Sequence, residues 1–292
     1  MTQENLELKE NEIYNEFKVL EITQVPEYNS TGIFLRHEKT GLEIFHMLNE
    51  DKENLFAFGF KTPSSDSKGT AHIIEHSVLC GSKNYPLKDP FIRLSNQSVK
   101  TFLNAMTFSD KTVYPASSIN ETDYFNLMAV YGDAVFFPLL TKETFMQEAH
   151  RLEFDKNGKL QFQGVVFNEM KGDYSSLSNV ITTYLTESLF PDSSYHYDSG
   201  GNPTCIPDLT YEQFLEFHKF YYHPSNCKLF LYGNISHCHY MSEEKILTLR
   251  VDGDIIIKTP FGGSAMNYWT QSKDNIYVAA HRGWSTLYPE NT

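Results

Sequence analysis

Residues 72–76 read His-Ile-Ile-Glu-His. Two imidazoles four residues apart lie on one face of a helix, so His72 and His76 can bind one metal ion together. Glu75, three residues after His72, is close to the same face. There it can take a proton from a water held at that metal. The order is the reverse of the H-E-x-x-H zinc-peptidase helix, the inverzincin pattern. A surface helix with two unrelated histidines is the plainer reading. Against it, Ala71, Ile73, Ile74, Val78 and Leu79 make the segment largely apolar, and buried imidazoles need partners.

A catalytic zinc site takes a third protein ligand. Glu169, in Gly164-Val-Val-Phe-Asn-Glu-Met-Lys-Gly172, opens an expected helix directly after an apolar run, from which a carboxylate could reach a buried site. An N-terminal helix glutamate favoured by the helix dipole explains the same residue equally well. Cys80, four residues beyond His76, is expected to pack or cap rather than close a four-ligand structural site.

These residues need a scaffold. Short apolar runs at 17–20, 32–35 and 42–45 read as antiparallel strands, and 55–60 as a strand buried on both faces. A loop at 62–69 delivers the chain into the His72 helix, with Gly81 just past its end. Helices are expected at 90–97, 121–137, 141–151, from 165 and at 177–190. Thr210 starts another with a capping box to Gln213. Residues 100–108 and 112–117 form a hairpin, 160–164 an extended segment and 227–232 a strand. The class is α+β, an antiparallel sheet with helices packed on one face. The Tyr-rich stretch at 184–197 is expected to pack, and His37, His46, His150, His196, His218 and His223 to be surface or hydrogen-bonded residues.

Composition narrows the function. The 292 residues are 40% hydrophobic with 22 Phe and 18 Tyr, enough for a sizeable core. A net charge of −13 argues against nucleic acid and steers cationic ligands. Four cysteines without a C-x-x-C pair suggest a reducing compartment. With no signal-like N-terminus and no 18-residue apolar run, a cytoplasmic, non-membrane protein is expected.

From about residue 14 to 235 the chain resembles the first domain of the pitrilysin-type metallopeptidases, peptidase family M16, and among them the presequence-protease subfamily. The resemblance rests on Gly69-Thr-Ala-His-Ile-Ile-Glu-His-Ser-Val-Leu-Cys-Gly-Ser82, Tyr85-Pro-Leu-Lys-Asp-Pro-Phe91, Phe102-Leu-Asn-Ala-Met-Thr107, Thr112-Val-Tyr-Pro115, Gly164–Gly172, Gly200-Gly-Asn-Pro203 and Tyr222-His-Pro-Ser-Asn226. It implies an α/β sandwich, half of a clamshell. It also implies one zinc ion on His72, His76 and Glu169, Glu75 as general base, and unstructured peptides as substrates. These would lie as an added strand along Asn104, Ala105, Met106 and Thr107. A missing C-terminal half would supply further substrate-binding residues, so activity of this chain alone is in question. The alternative is an inactive fragment or a non-catalytic peptide-binding subunit.

The expected peptidase domain spans residues 1–236, and 237–292 a foreign, incomplete tail. Its end, Ile276–Gly283 and Tyr288–Thr292, resembles the first strand of a glycerophosphodiester phosphodiesterase barrel. That resemblance would give His281, Arg282 and Glu290 roles in phosphate chemistry and metal binding.

Overall fold

The computed structural model describes residues 8–235 except 15 and 89, together with the backbone of 277–280 and 283–286. Strands β1 (Ile13–Tyr14), β2 (Phe17–Val25), β3 (Ser30–His37), β4 (Glu43–Leu48) and β5 (Asn54–Lys61) lead into helix α1 (Thr70–Val78) and helix α2 (Pro90–Gln97). Then come β6 (Phe102–Leu103), β7 (Met106–Thr107), β8 (Lys111–Ser118), α3 (Glu121–Phe136), α4 (Lys142–Glu148), β9 (Arg151–Phe154) and β10 (Leu160–Gln163). Helices α5 (Val165–Asp173), α6 (Leu177–Leu189) and α7 (Tyr211–Tyr221) precede β11 (Cys227–Gly233). Strands β12 (Tyr277–Ala280) and β13 (Gly283–Thr286) form a separate antiparallel pair. His281, Arg282 and Glu290 lie outside the described residues, as does nearly all of the expected tail.

One sheet runs β1-β2-β3-β4-β11-β5-β8-β6, with β7 also on β8. It is antiparallel as expected, with one correction: β11 is parallel to β4 and antiparallel to β5. A strand arriving some 170 residues after β5 has inserted between two strands that a local reading would pair as a hairpin. Pairing partners separated this widely leave no periodicity for a sequence to show.

The run at 55–60 is also corrected, since it is buried on one face rather than two. Phe56, Phe58 and Phe60 are fully buried, while Leu55, Ala57 and Gly59 are half-buried. The side chains alternate as a strand demands. The three phenylalanines meet Tyr124, Tyr131 and Phe136 of α3 edge to face at 5.5–6.1 Å. On the same core, Ile73, Ile74 and Val78 anchor α1. A helix pinned by that face must turn its remaining face, the one with the histidines, elsewhere.

Two elements differ from expectation. The helical pattern at 141–151 ends at Glu148, and β9 follows, because Ala149 leaves helical geometry (φ −77°, ψ −85°). The Tyr-rich stretch packs only loosely: Tyr184 is 64% exposed, Tyr195 touches Phe190 at the surface, and Tyr197 is half-buried. Five of the six histidines show the expected hydrogen bonds, for example His150 to the Leu209 carbonyl and His218 to that of Val135, and His46 is fully buried with a partner of its own.

Candidate metal centre

Helix α1 is preceded by its N-cap Gly69, whose φ of +67° suits glycine. It presents His72 and His76 side by side, their ring centroids 4.9 Å apart and nearly perpendicular. Helix α5 brings the third residue. Its N-cap, Gly164, lies so close to α4 that a Cβ there would sit 2.1 Å from the Ala149 carbonyl oxygen. Val166, Phe167 and Met170 are buried, which leaves Glu169 on the open face. The result is a cluster in which one ligand atom from each of His72, His76 and Glu169 lies within 4.8 Å of the others.

Both rings are held by their other nitrogen. The Nδ1 of His72 donates to the Gly200 carbonyl at 3.0 Å, and the Nδ1 of His76 to the Glu148 carboxylate at 3.3 Å. A carbonyl or an ionised carboxylate only accepts, so both neutral rings carry the proton on Nδ1 and offer an Nε2 lone pair. Those two Nε2 atoms face Glu169 Oε2 at 3.8 and 3.7 Å. Three such acceptors together form a donor set that could hold a cation. Tetrahedral zinc with bonds of about 2.0–2.1 Å spaces its ligands by roughly 3.4 Å, near the 3.8 and 3.7 Å that separate Glu169 from the two rings. His72, His76 and Glu169 are therefore a donor set that a zinc ion would fit.

Electrostatics points the same way. Burial opposes protonation of His76, but the hydrogen bond to Glu148 and the charges of Glu75, Glu148 and Glu169 outweigh it, and its pKa is raised. Burial works to raise Glu148, yet the bonds from His76 and Gln147 leave its carboxyl below the ordinary range. The neighbouring carboxylates thus favour positive charge at His76.

Glu75 is 8% exposed, and its Oε2 accepts the Thr107 hydroxyl at 2.6 Å. Thr107 is on β7, at the outer edge of the sheet beyond β8. Of the four edge residues, Asn104 has its backbone turned inward, its N–H to Pro115 and its carbonyl to the Tyr131 hydroxyl. Asn104 and Ala105 also border a cavity of about 420 Å³ beside Glu75, His76, Leu79 and Phe91. Cys80 is not in the cluster. Its thiol contacts the His76 carbonyl and Glu148, at 3.4 and 3.7 Å, as a packed cysteine would.

Sequence reasoning missed Glu148 altogether, and it noted Gly200 only within a segment that carries the resemblance, with no role at the site. They lie 72 and 128 residues from the histidines they hold, and neither belongs to a spacing pattern.

Residues 59–178 match the insulinase model of peptidase family M16, and 208–245 the M16 inactive-domain model. Protein HypA of Clostridium perfringens is 50% identical over 232 residues, 78% of this chain and 24% of that protein. The mitochondrial presequence protease of Mus musculus is 47% identical over 233 residues, covering 78% and 22%. Crystalline pitrilysin superposes with a TM-score of 0.56 at 19% identity, over 75% of this chain and 23% of that one. The chain thus spans less than a quarter of the length of these relatives. The chain belongs to the pitrilysin-type peptidases, family M16. Among them it is presequence-protease-like.

Proposed function

We propose that this chain carries the zinc centre and general base of a metalloendopeptidase that hydrolyses unstructured peptides. The observation that carries the reading is the convergence of His72 Nε2, His76 Nε2 and Glu169 Oε2 beside Glu75. His72, His76 and Glu169 would hold zinc. Zinc supplies an acidified water and a polarised scissile carbonyl. Glu75 accepts the proton of the attacking water and returns it to the leaving amine. Because Thr107 occupies Oε2, the second oxygen is free for that proton. Substrate backbone pairs with the outward groups of residues 105–107, a mode that suits unfolded chains and reads little sequence. The adjoining cavity receives one flanking side chain. The remainder of a longer peptidase is the expected partner for efficient turnover. Among the described residues Cys80, Cys205 and Cys227 form no disulfide, which suits a reducing compartment.

Metal analysis of the chain and of Glu75→Gln, together with a quenched-fluorescent peptide assay, tests this. One zinc per chain in both, with cleavage lost in the variant, is the expected result. Full activity in Glu75→Gln would overturn the role of the base, and no zinc in the wild-type chain would overturn the reading.

A further inference from the structure

His72 is gripped by a loop. The carbonyl that holds its Nδ1 belongs to Gly200, and the loop is shaped by Asp198. One Asp198 oxygen, Oδ1, accepts the backbone N–H of Gly200 at 2.9 Å and of Gly201 at 3.4 Å. The other, Oδ2, accepts the Tyr174 hydroxyl at 2.6 Å. Tyr174 is the C-cap of α5, the helix that carries Glu169. The backbone N–H of Asp198 donates to Ser67 Oγ at 3.1 Å, and Asn202 N–H to the Ser67 carbonyl at 2.8 Å, which stitches the loop to the segment entering α1.

The loop is wedged between the two ligand-bearing helices. A Cβ on Gly69 would sit 2.6 Å from the Gly200 oxygen, and one on Gly200 2.8 Å from Met170 Cε. Gly69 is required for this approach, since its clash would be with backbone and its φ is +67°, whereas at Gly200 the end of the Met170 side chain would have to move. A carboxylate that served only its own turn would use Oδ1 alone. Here Oδ2 reaches a different helix, so a single side chain joins the holder of His72 to the carrier of Glu169.

We propose that Asp198 and Tyr174 are positioning residues for the metal centre. They lock the Gly200 carbonyl against His72, hold that ring in the tautomer with Nε2 free, and set the spacing of α1 and α5. The inference rests on the zinc reading above for its consequence, but the tautomer it describes exists without metal.

The test uses Tyr174→Phe, Asp198→Asn and the double variant. Zinc affinity is measured by competition with a chromophoric chelator, the His72 tautomer by ¹⁵N chemical shifts of the zinc-free chain, and zinc-free stability by thermal unfolding. Tyr174→Phe should weaken zinc about tenfold, the lower end of the loss for an outer partner of a metal ligand, and Asp198→Asn at least as much. Since the two act in series, the double variant should be no worse than Asp198→Asn. His72 should lose part of its Nδ1–H population in each. A purely structural role would lower the zinc-free unfolding midpoint and leave tautomer and affinity unchanged. An unchanged tautomer in both single variants overturns the proposal whether or not zinc binds, and so does unchanged affinity in a chain that binds zinc. A wild-type chain that binds no zinc sinks the metal reading alone, because the tautomer still decides this one.

Discussion

The hydroxyl of Thr107 donates to the carboxylate of Glu75 across 2.6 Å, joining the outer edge of the sheet to the acidic residue of α1. A hydrogen bond to a charged acceptor contributes about 1.5–3 kcal/mol. Thr107→Val keeps the shape and removes that bond. Peptide cleavage should fall about tenfold or more in kcat with zinc content unchanged, and Thr107→Ser should restore most of it. Equal kcat for Thr107→Val and wild type would show that the contact does not orient the base.

Glu169 is the most exposed of the three clustered residues, its side chain 54% accessible. A lost ligand should cost at least what a lost outer partner does, so Glu169→Ala should weaken zinc by about a hundredfold or more. A chelator titration reads this directly. Zinc removal from the wild-type chain should also lower its unfolding midpoint, since a ligand at a hundred times its Kd stabilises by about 2.7 kcal/mol. A midpoint indifferent to chelator would argue against a bound ion.

Glu148 is 4% exposed and tied to His76. Glu148→Gln preserves size but removes the charge that sustains the Nδ1–H tautomer. Zinc affinity should drop about tenfold to a hundredfold. A binding constant equal to that of wild type would leave Glu148 as a packing residue.

Gly164 lets α5 start against the end of α4. Its φ of 174° is open to any residue, so the obstacle to alanine is contact with the Ala149 oxygen. Overpacking of this kind costs about 1–3 kcal/mol. Gly164→Ala should lower the unfolding midpoint and, by displacing α5, weaken zinc as well. A fully stable variant would mean that the junction yields at no cost.

His218 stacks on Tyr222 at 4.8 Å and donates to the Val135 carbonyl at 2.9 Å. Burial pulls its pKa down from 6.5 to about 4. The unfolded chain therefore binds the extra proton first. Its stabilising effect is complete above about 6.5 and is lost as pH falls from there toward 4. The span corresponds to at most about 3 kcal/mol, less to the extent that water reaches the ring. His218→Gln should flatten the stability–pH curve in that window in chemical denaturation. An unchanged slope would place the acid sensitivity elsewhere.

What the sequence determined by itself was local. The His72–His76 pair follows from the pitch of one helix, and the β5 strand and the Thr210 capping box likewise need only neighbouring residues. Glu169 stood between two readings on residues alone, because a glutamate in the first turns of a helix is common. Tertiary structure decided the rest. It inserted β11 between β4 and β5, aimed Glu169 at the two free Nε2 atoms, and supplied Glu148, Gly200 and Thr107 from 72, 128 and 32 residues away in the chain. Such partners are chosen by how helices and loops pack. Packing places side chains by shape and burial, which no spacing along the chain records.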